Sequence, residues 1–175
     1  VGENGEDTTY SGNYIGGGYL TKEGMGTWTL TGGALDMPDF DVSDGTVVFD
    51  GAVGAAQGIY GAANTSVVFQ NGSVFDTGGG VYATDLTVTG AGTAITANRL
   101  EALPSLVIKD GARLTAQKSA SNGDNAFIID GGSLILRGIV SSYAGDTIQI
   151  SDPSDGSGLT FDLSGNATFA GTISN

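Results

Sequence analysis

The segment Thr46-Val47-Val48-Phe49-Asp50-Gly51-Ala52-Val53 is followed, twenty residues on, by Ser66-Val67-Val68-Phe69-Gln70-Asn71-Gly72-Ser73-Val74. Each places two apolar residues at i and i+2, on one face of an extended strand, and then turns at Gly. The same pair recurs along the chain as Trp28/Leu30, Val47/Phe49, Val67/Phe69, Leu86/Val88, Leu106/Ile108, Phe127/Ile129 and Ile148/Ile150. Thr8/Tyr10 begins the series and Ala167/Phe169 continues it, so that successive first members differ by 20, 19, 20, 19, 20, 21, 21 and 19 residues. Turns follow at Gly32-Gly33, Gly51, Asn71-Gly72, Gly90, Asp110-Gly111 and Gly131-Gly132. Beyond most of them comes a second apolar strand, read at Leu35, Val53, Val74, Ile95, Leu114/Ala116 and Leu134/Leu136.

One repeat is thus strand, turn, strand and a variable loop. It cannot bury its apolar face alone, whereas stacked repeats share a core, which is the logic of a solenoid. Leucine-rich repeats have a similar length but need a Leu scaffold with Asn or Cys at a fixed step, and only Leu100-Glu101-Ala102-Leu103 hints at one. A β-sandwich accommodates regular strands but does not need turn chemistry that recurs in register. β-Branched and aromatic inward pairs with Gly, Asn and Asp corners predict an all-β chain, a right-handed parallel β-helix. About eight or nine coils of ~20 residues, stacked ~4.8 Å apart, would make a rod of roughly 35–45 Å.

Composition agrees with that architecture. A chain of 175 residues suits a single domain spanning 1–175. Its 31 Gly residues punctuate short apolar runs, Pro occurs only 3 times, and no long i, i+3, i+4, i+7 pattern calls for a helix. The balance of 6 basic and 19 acidic residues gives a net charge of −13. That argues against nucleic acid and anionic membranes as partners, because both require a basic patch. Cys and His are absent, which removes disulfides, thiolate metal sites and the commonest general base and zinc ligand. No apolar stretch approaches the ~20 residues of a membrane-spanning helix, so no direct membrane insertion is expected.

Residues 9–33 read Thr-Tyr-Ser-Gly-Asn-Tyr-Ile-Gly-Gly-Gly-Tyr-Leu-Thr-Lys-Glu-Gly-Met-Gly-Thr-Trp-Thr-Leu-Thr-Gly-Gly. This stretch resembles the passenger-associated transport repeat of bacterial autotransporters, whose core runs Gly-x-Leu-x-Lys-x-Gly-x-Gly-x-x-x-Leu-x-Gly. The matching positions are Gly18, Leu20, Lys22, Gly24, Gly26, Leu30 and Gly32, while Trp28 stands where the family more often has Leu. The chain then divides into an acidic lead-in (1–8), a transport-repeat-like coil (9–33) and further coils (34–175). A second echo lies in Thr168-Phe169-Ala170-Gly171-Thr172-Ile173, which parallels Thr9-Tyr10-Ser11-Gly12-Asn13-Tyr14 at an offset of 159. The resemblance implies a type V-secreted passenger, outside the outer membrane or on the bacterial cell surface. It also implies that the natural protein continues past Asn175, toward an outer-membrane barrel. Its role would be adhesion or self-association, with partners that are another copy or a protein or glycan of a host or neighbouring cell.

The rung alignment itself nominates a surface. Residues between the inward pairs point outward, and stacking aligns Thr29, Val48, Val68, Thr87, Val107, Ile128, Gln149 and Thr168 in one column. Its middle, Val48, Val68, Thr87, Val107 and Ile128, is a mostly apolar ladder and the candidate binding site; β-branched residues also simply favour strands. The next column reads Asp50, Gln70, Thr89, Lys109, Asp130 and Ser151, with Lys109 beside Asp130 as a candidate cross-rung pair. Arg99, Lys109, Arg113, Lys118 and Arg137 form a local basic region. Tyr60, Tyr82 and Tyr143 fall in the variable loops, where they would stack on sugars or pack the corners.

Catalytic and metal readings find less support. Acidic clusters at Asp36, Asp39, Asp41 and Asp44, and at Asp152, Asp155 and Asp162, have the spacing of solvated turns. The segment at Asp152 lacks the Glu that ends an EF-hand loop. Gly16-Gly17-Gly18 and Gly78-Gly79-Gly80 open no helix and carry no Lys-Ser/Thr, so they read as tight corners rather than phosphate loops. The sequons at Asn64, Asn71 and Asn166 carry no weight in a bacterial chain. We therefore expect no enzyme activity, cofactor or metal, with a structural stalk as the main alternative role. A polysaccharide-active enzyme would need three or more carboxylates and a base on one face.

Overall fold

The computed structural model describes residues 5–101, 104–120, 126–137, 140–141, 147–151, 156–163 and 171–175, of which 118–120 and 140–141 are described in backbone only. Among the described residues none is helical, and no helix there is long and apolar enough to cross a membrane. The strands are stacked in parallel as a β-solenoid, in two long ladders. The first sheet stacks β1 (Thr8–Tyr10), β4 (Thr27–Thr31), β6 (Thr46–Asp50), β8 (Ser66–Gln70), β10 (Asp85–Thr89), β12 (Ser105–Lys109), β14 (Ala126–Asp130), β17 (Thr147–Ile150) and β19 (Thr172–Ser174). The second stacks β2 (Tyr14–Ile15), β5 (Ala34–Val42), β7 (Val53–Gly61), β9 (Val74–Tyr82), β11 (Ala94–Glu101), β13 (Arg113–Ala120), β15 (Ser133–Arg137) and β18 (Gly158–Asp162). The short β3 (Leu20–Lys22) lies beside β5, and β16 (Val140–Ser141) beside β13.

The inward pairs read from the sequence are the rungs of the first sheet. Thr8 pairs with Trp28, Trp28 with Val47, Val47 with Val67, and Val67 with Leu86. The register then runs through Leu106 and Phe127 to Ile148. Above Ile148 the position is taken by Ile173, so the ladder ends on a wider step than expected. Ala167/Phe169 and Thr168 lie outside the described residues. Among the described residues six complete turns stand out, β4–β5 through β14–β15, with shorter strands stacked on either side, against the eight or nine coils expected. The described strands outside those six turns are short, two to five residues long.

Much of the stretch expected as a variable loop is strand: β5, β7, β9 and β11 run on to Val42, Gly61, Tyr82 and Glu101, leaving shorter connections between coils. In β5 the buried residues are Leu35 and Met37, then Phe40 and Val42, so the strand rounds a corner where the inward parity changes. The corner falls at Pro38 in β5, and the pairing shifts register between Ala56 and Gly58 in β7 and between Ala97 and Leu100 in β11. Such bulge-like steps re-aim a strand, and a strict two-residue pattern breaks off at each of them.

A second correction concerns the residue after the first turn. Val53 and Val74 face outward, 54% and 47% exposed, while their neighbours Gly54 and Phe75 share the inward column of Leu35 and Ile95. The first inward position after the turn belongs to small residues instead: Ala52, Ser73, Thr93 and Ala112 are all buried. Ser73 makes that corner tolerable for a hydroxyl, since its Oγ donates to Gln70 O at 2.8 Å and accepts from Ala52 N at 3.1 Å. At Gly54 a Cβ would collide with the Leu35 carbonyl, so two coils approach there closely enough to require Gly.

The core fills the space between the sheets with one row of side chains per column. Phe49 stacks on Phe69 with ring centroids 4.6 Å apart, and both pack on Phe75 at 4.9 and 5.6 Å. Trp28 meets Phe40 edge-on at 5.7 Å and closes this aromatic block toward the N-terminal end. Offset and edge-on arrangements add about 0.5–1.5 kcal/mol per pair beyond area burial.

Candidate functional site

Parallel pairing in register makes the ladder a geometric fact. Thr29, Val48, Val68, Thr87, Val107, Ile128, Gln149 and Ser174 are successive partners across the first sheet. Each strand alternates buried and outward residues because its inner face packs on the core. Val48, Val68, Thr87 and Val107 are half-buried by their neighbours in the column, and Ile128 is 36% exposed. The ladder is one residue wide. On one side run Thr46, Ser66, Asp85, Ser105 and Ala126, and on the other Asp50, Gln70, Thr89 and Lys109. Hydrogen bonds stiffen the second flank: Asn71 Nδ2 donates to Asp50 Oδ1 at 2.6 Å, and Thr89 Oγ1 to Asp110 Oδ2 at 2.7 Å. Lys109 forms no ion pair with Asp130; its backbone bridges to Gly131 instead.

The other nominated groups disperse. Arg99 pairs with Glu101 on its own strand, and Arg137 with Asp162 one coil on, Nε to Oδ2 at 3.1 Å. Both pairs are at the surface and contribute little, typically under ~1 kcal/mol. In the backbone Arg99 and Lys118 are register partners, whereas Arg113 pairs with Ala94 and Ser133 at the other end of the same strands. Asp152, Asp155, Tyr143 and Asn166 lie outside the described residues.

Tyr60 and Tyr82 sit on β7 and β9, not in loops, and stack on each other at 5.0 Å. Burial, the adjacent Asp39 carboxylate and the Tyr82 ring push the Tyr60 hydroxyl above its ordinary pKa. Packing along the corner is thus the role these rings visibly perform. Nearby, Asp36, Ala55 and Asp76 follow one another in register and line an open groove of about 660 Å³ with Gly16, Gln57 and Gly78. Its lining holds two carboxylates and no basic side chain. Among the described residues, no group of three or more acidic residues is placed to hold a metal.

Lys22 is the residue whose role the sequence did not disclose. It continues the inward alternation from Leu20, is fully buried, and stands in register with Val42. Its ammonium donates to the carbonyls of Glu23 (3.2 Å), Gly24 and Asp44 (3.1 Å), tying the first coil's turn to the next. Burial lowers its pKa, partly offset by the charges of Asp44 and Asp7. Gly24 beside it has φ +79°, and a Cβ on Gly26 would meet the Glu6 carbonyl. The Lys-x-Gly-x-Gly run is thus a clasp built around one buried charge. A Lys at an inward position of a strand is the signal that could have exposed it.

Comparison of the chain with protein-family models, with curated proteins and with solved structures returns no match.

Proposed function

We propose that the chain is a segment of a secreted autotransporter passenger, displayed on the cell surface, that works by binding rather than catalysis. Adhesion or self-association runs through the outward ladder Val48, Val68, Thr87, Val107 and Ile128. The observation that carries this reading is the unbroken register of that column across five coils. A straight row of β-branched side chains about 4.8 Å apart suits an extended or sheet-like partner. The secretory origin is supported by the resemblance of residues 9–33, whose Lys and Gly residues have specific work in the first turn. Polar flanks and a net charge of −13 fit a surface that remains soluble while unengaged.

The test is a binding and aggregation assay of bead-bound protein, comparing the native chain with Val68→Lys and Val107→Lys. Both substitutions fall on half-buried outward positions, so the fold should persist while self-association or cell binding drops at least about tenfold. That drop corresponds to ~1.4 kcal/mol of lost contact. Undiminished binding by the double variant would remove the ladder from the mechanism. A stalk that spaces an active module elsewhere is the second reading, favoured by the same regularity. It predicts that the isolated chain binds no cell surface at all.

A further inference from the structure

We propose that Tyr60 and Tyr82 are a modification site, where a peroxidase-type oxidant joins two coils by a carbon–carbon bond between the rings, ortho to each hydroxyl. The pair lies on the second sheet, away from the outward ladder, and the link needs no binding partner.

Parallel register places the two rings. Tyr60 on β7 and Tyr82 on β9 are direct partners, one coil apart. Their rings lie face to face, with centroids 5.0 Å apart and planes 19° from parallel. The column continues to Asp41 on β5 and to Glu101 on β11, so neither ring stands at an end of the stack. Among the described residues this is the one pair of tyrosines in ring contact. Glycine makes room for it: the Tyr60 ring lies over Gly58, where a Cβ would meet its hydroxyl and Cε2. Gly58 is in register with Asp39, and the Asp39 carboxylate accepts a hydrogen bond from the Tyr60 hydroxyl. Tyr60 is 37% exposed and Tyr82 half-buried, so an oxidant in solution reaches the pair.

The step balances as follows. Each phenol gives up one electron and its hydroxyl proton; Asp39 is a base already in place for the proton of Tyr60, and that of Tyr82 passes to solvent. Each phenoxyl radical carries unpaired density on the carbons ortho to its oxygen. A bond between one such carbon of each ring pairs the two electrons, and each displaced ring hydrogen then moves to its oxygen and restores the phenol. In all the pair loses two protons and two electrons, which reduce one hydrogen peroxide to two waters. Radicals on separate molecules must first meet, whereas these rings are held in contact, which favours coupling within the chain. The chain has no Cys, so no disulfide joins its coils. The biphenol takes that place, closing a loop of about twenty residues and restricting the unfolded chain as a disulfide does.

The test treats the 175-residue chain, at low concentration, with a haem peroxidase and hydrogen peroxide under conditions that couple free tyrosine. Trypsin then cuts after Lys22 and Arg99 and releases residues 23–99, which hold Tyr60 and Tyr82 and no other tyrosine. The expected product is this fragment lighter by two hydrogens and carrying biphenol fluorescence, from a chain that runs as a monomer on a denaturing gel. Oxygen added at Met25 or Met37 shifts the mass the opposite way. Tyr60→Phe and Tyr82→Phe keep a ring in the stack but lack the phenol, and each should abolish both signals. Tyr19→Phe removes an exposed tyrosine of the first coil and should abolish neither. The linked chain should unfold at a higher urea concentration than equally treated Tyr60→Phe. A 23–99 fragment of unchanged mass, the same loss of hydrogens in Tyr60→Phe, linkage only between separate molecules, or a linked chain no more resistant to urea would overturn the proposal.

Discussion

Lys22 joins a sequence motif to a physical task. Its ammonium serves three turn carbonyls, so Lys22→Met leaves acceptors without a donor inside the first coil. These carbonyls are part-buried, so each left unpaired costs at most about 1–3 kcal/mol, while relief of the buried charge returns part of this. The expected net loss is about 1–3 kcal/mol, read as a lower denaturation midpoint in urea. The pH dependence has a definite sign. Below its depressed pKa Lys22 is charged in both folded and unfolded chains, and the burial cost is fully present. As pH rises from there toward 10.5, the folded chain sheds its proton first, the unfolded chain binds more, and stability from this group rises. Lys22→Met should lack that alkaline gain. Sequence alone conceals the clasp because Lys is almost always exposed, and only its inward parity betrays it.

At the scale of the strand, legibility followed periodicity. The first-sheet strands have an uninterrupted two-residue alternation, and Val47/Phe49 through Ile148 were placed by that pattern alone. The ladder came with them, since fixing the inward residues fixes the outward ones. The second sheet resisted for two physical reasons. Small turn residues, Ala52 and Ser73, take the first inward place and push the conspicuous Val53 and Val74 outside. The corner at Pro38, Gly58 and the Gly78–Gly80 run then changes parity in mid-strand. Two substitutions check the register. Val53→Asp should stay within ~0.5 kcal/mol of the native chain, as an exposed position does. Phe75→Ala should cost about 3–5 kcal/mol through the cavity it leaves. The reverse ranking in thermal melts would mean that the second sheet is out by one residue.

Across the whole molecule, stability should be graded. The central coils carry strands of five and of eight or nine residues, whereas β1, β2, β3 and β19 have two or three. Amide exchange should accordingly be slowest in β6 through β12 and fastest in the end strands, since opening at an end sacrifices contacts on one side only. Uniform protection from Thr8 to Ser174 would contradict that picture.

The parallel stacking has one more consequence, for the way such a chain is made. Every coil finds its partner about twenty residues away, so each new rung pays for closing a loop of the same modest length. No step waits for a distant part of the chain. Once two coils have docked, the exposed edge of the last is a finished template for its successor, and the solenoid can lengthen at a moving front like a crystal at its growing face. A chain delivered one end first, however slowly, can therefore complete each turn on the one before it.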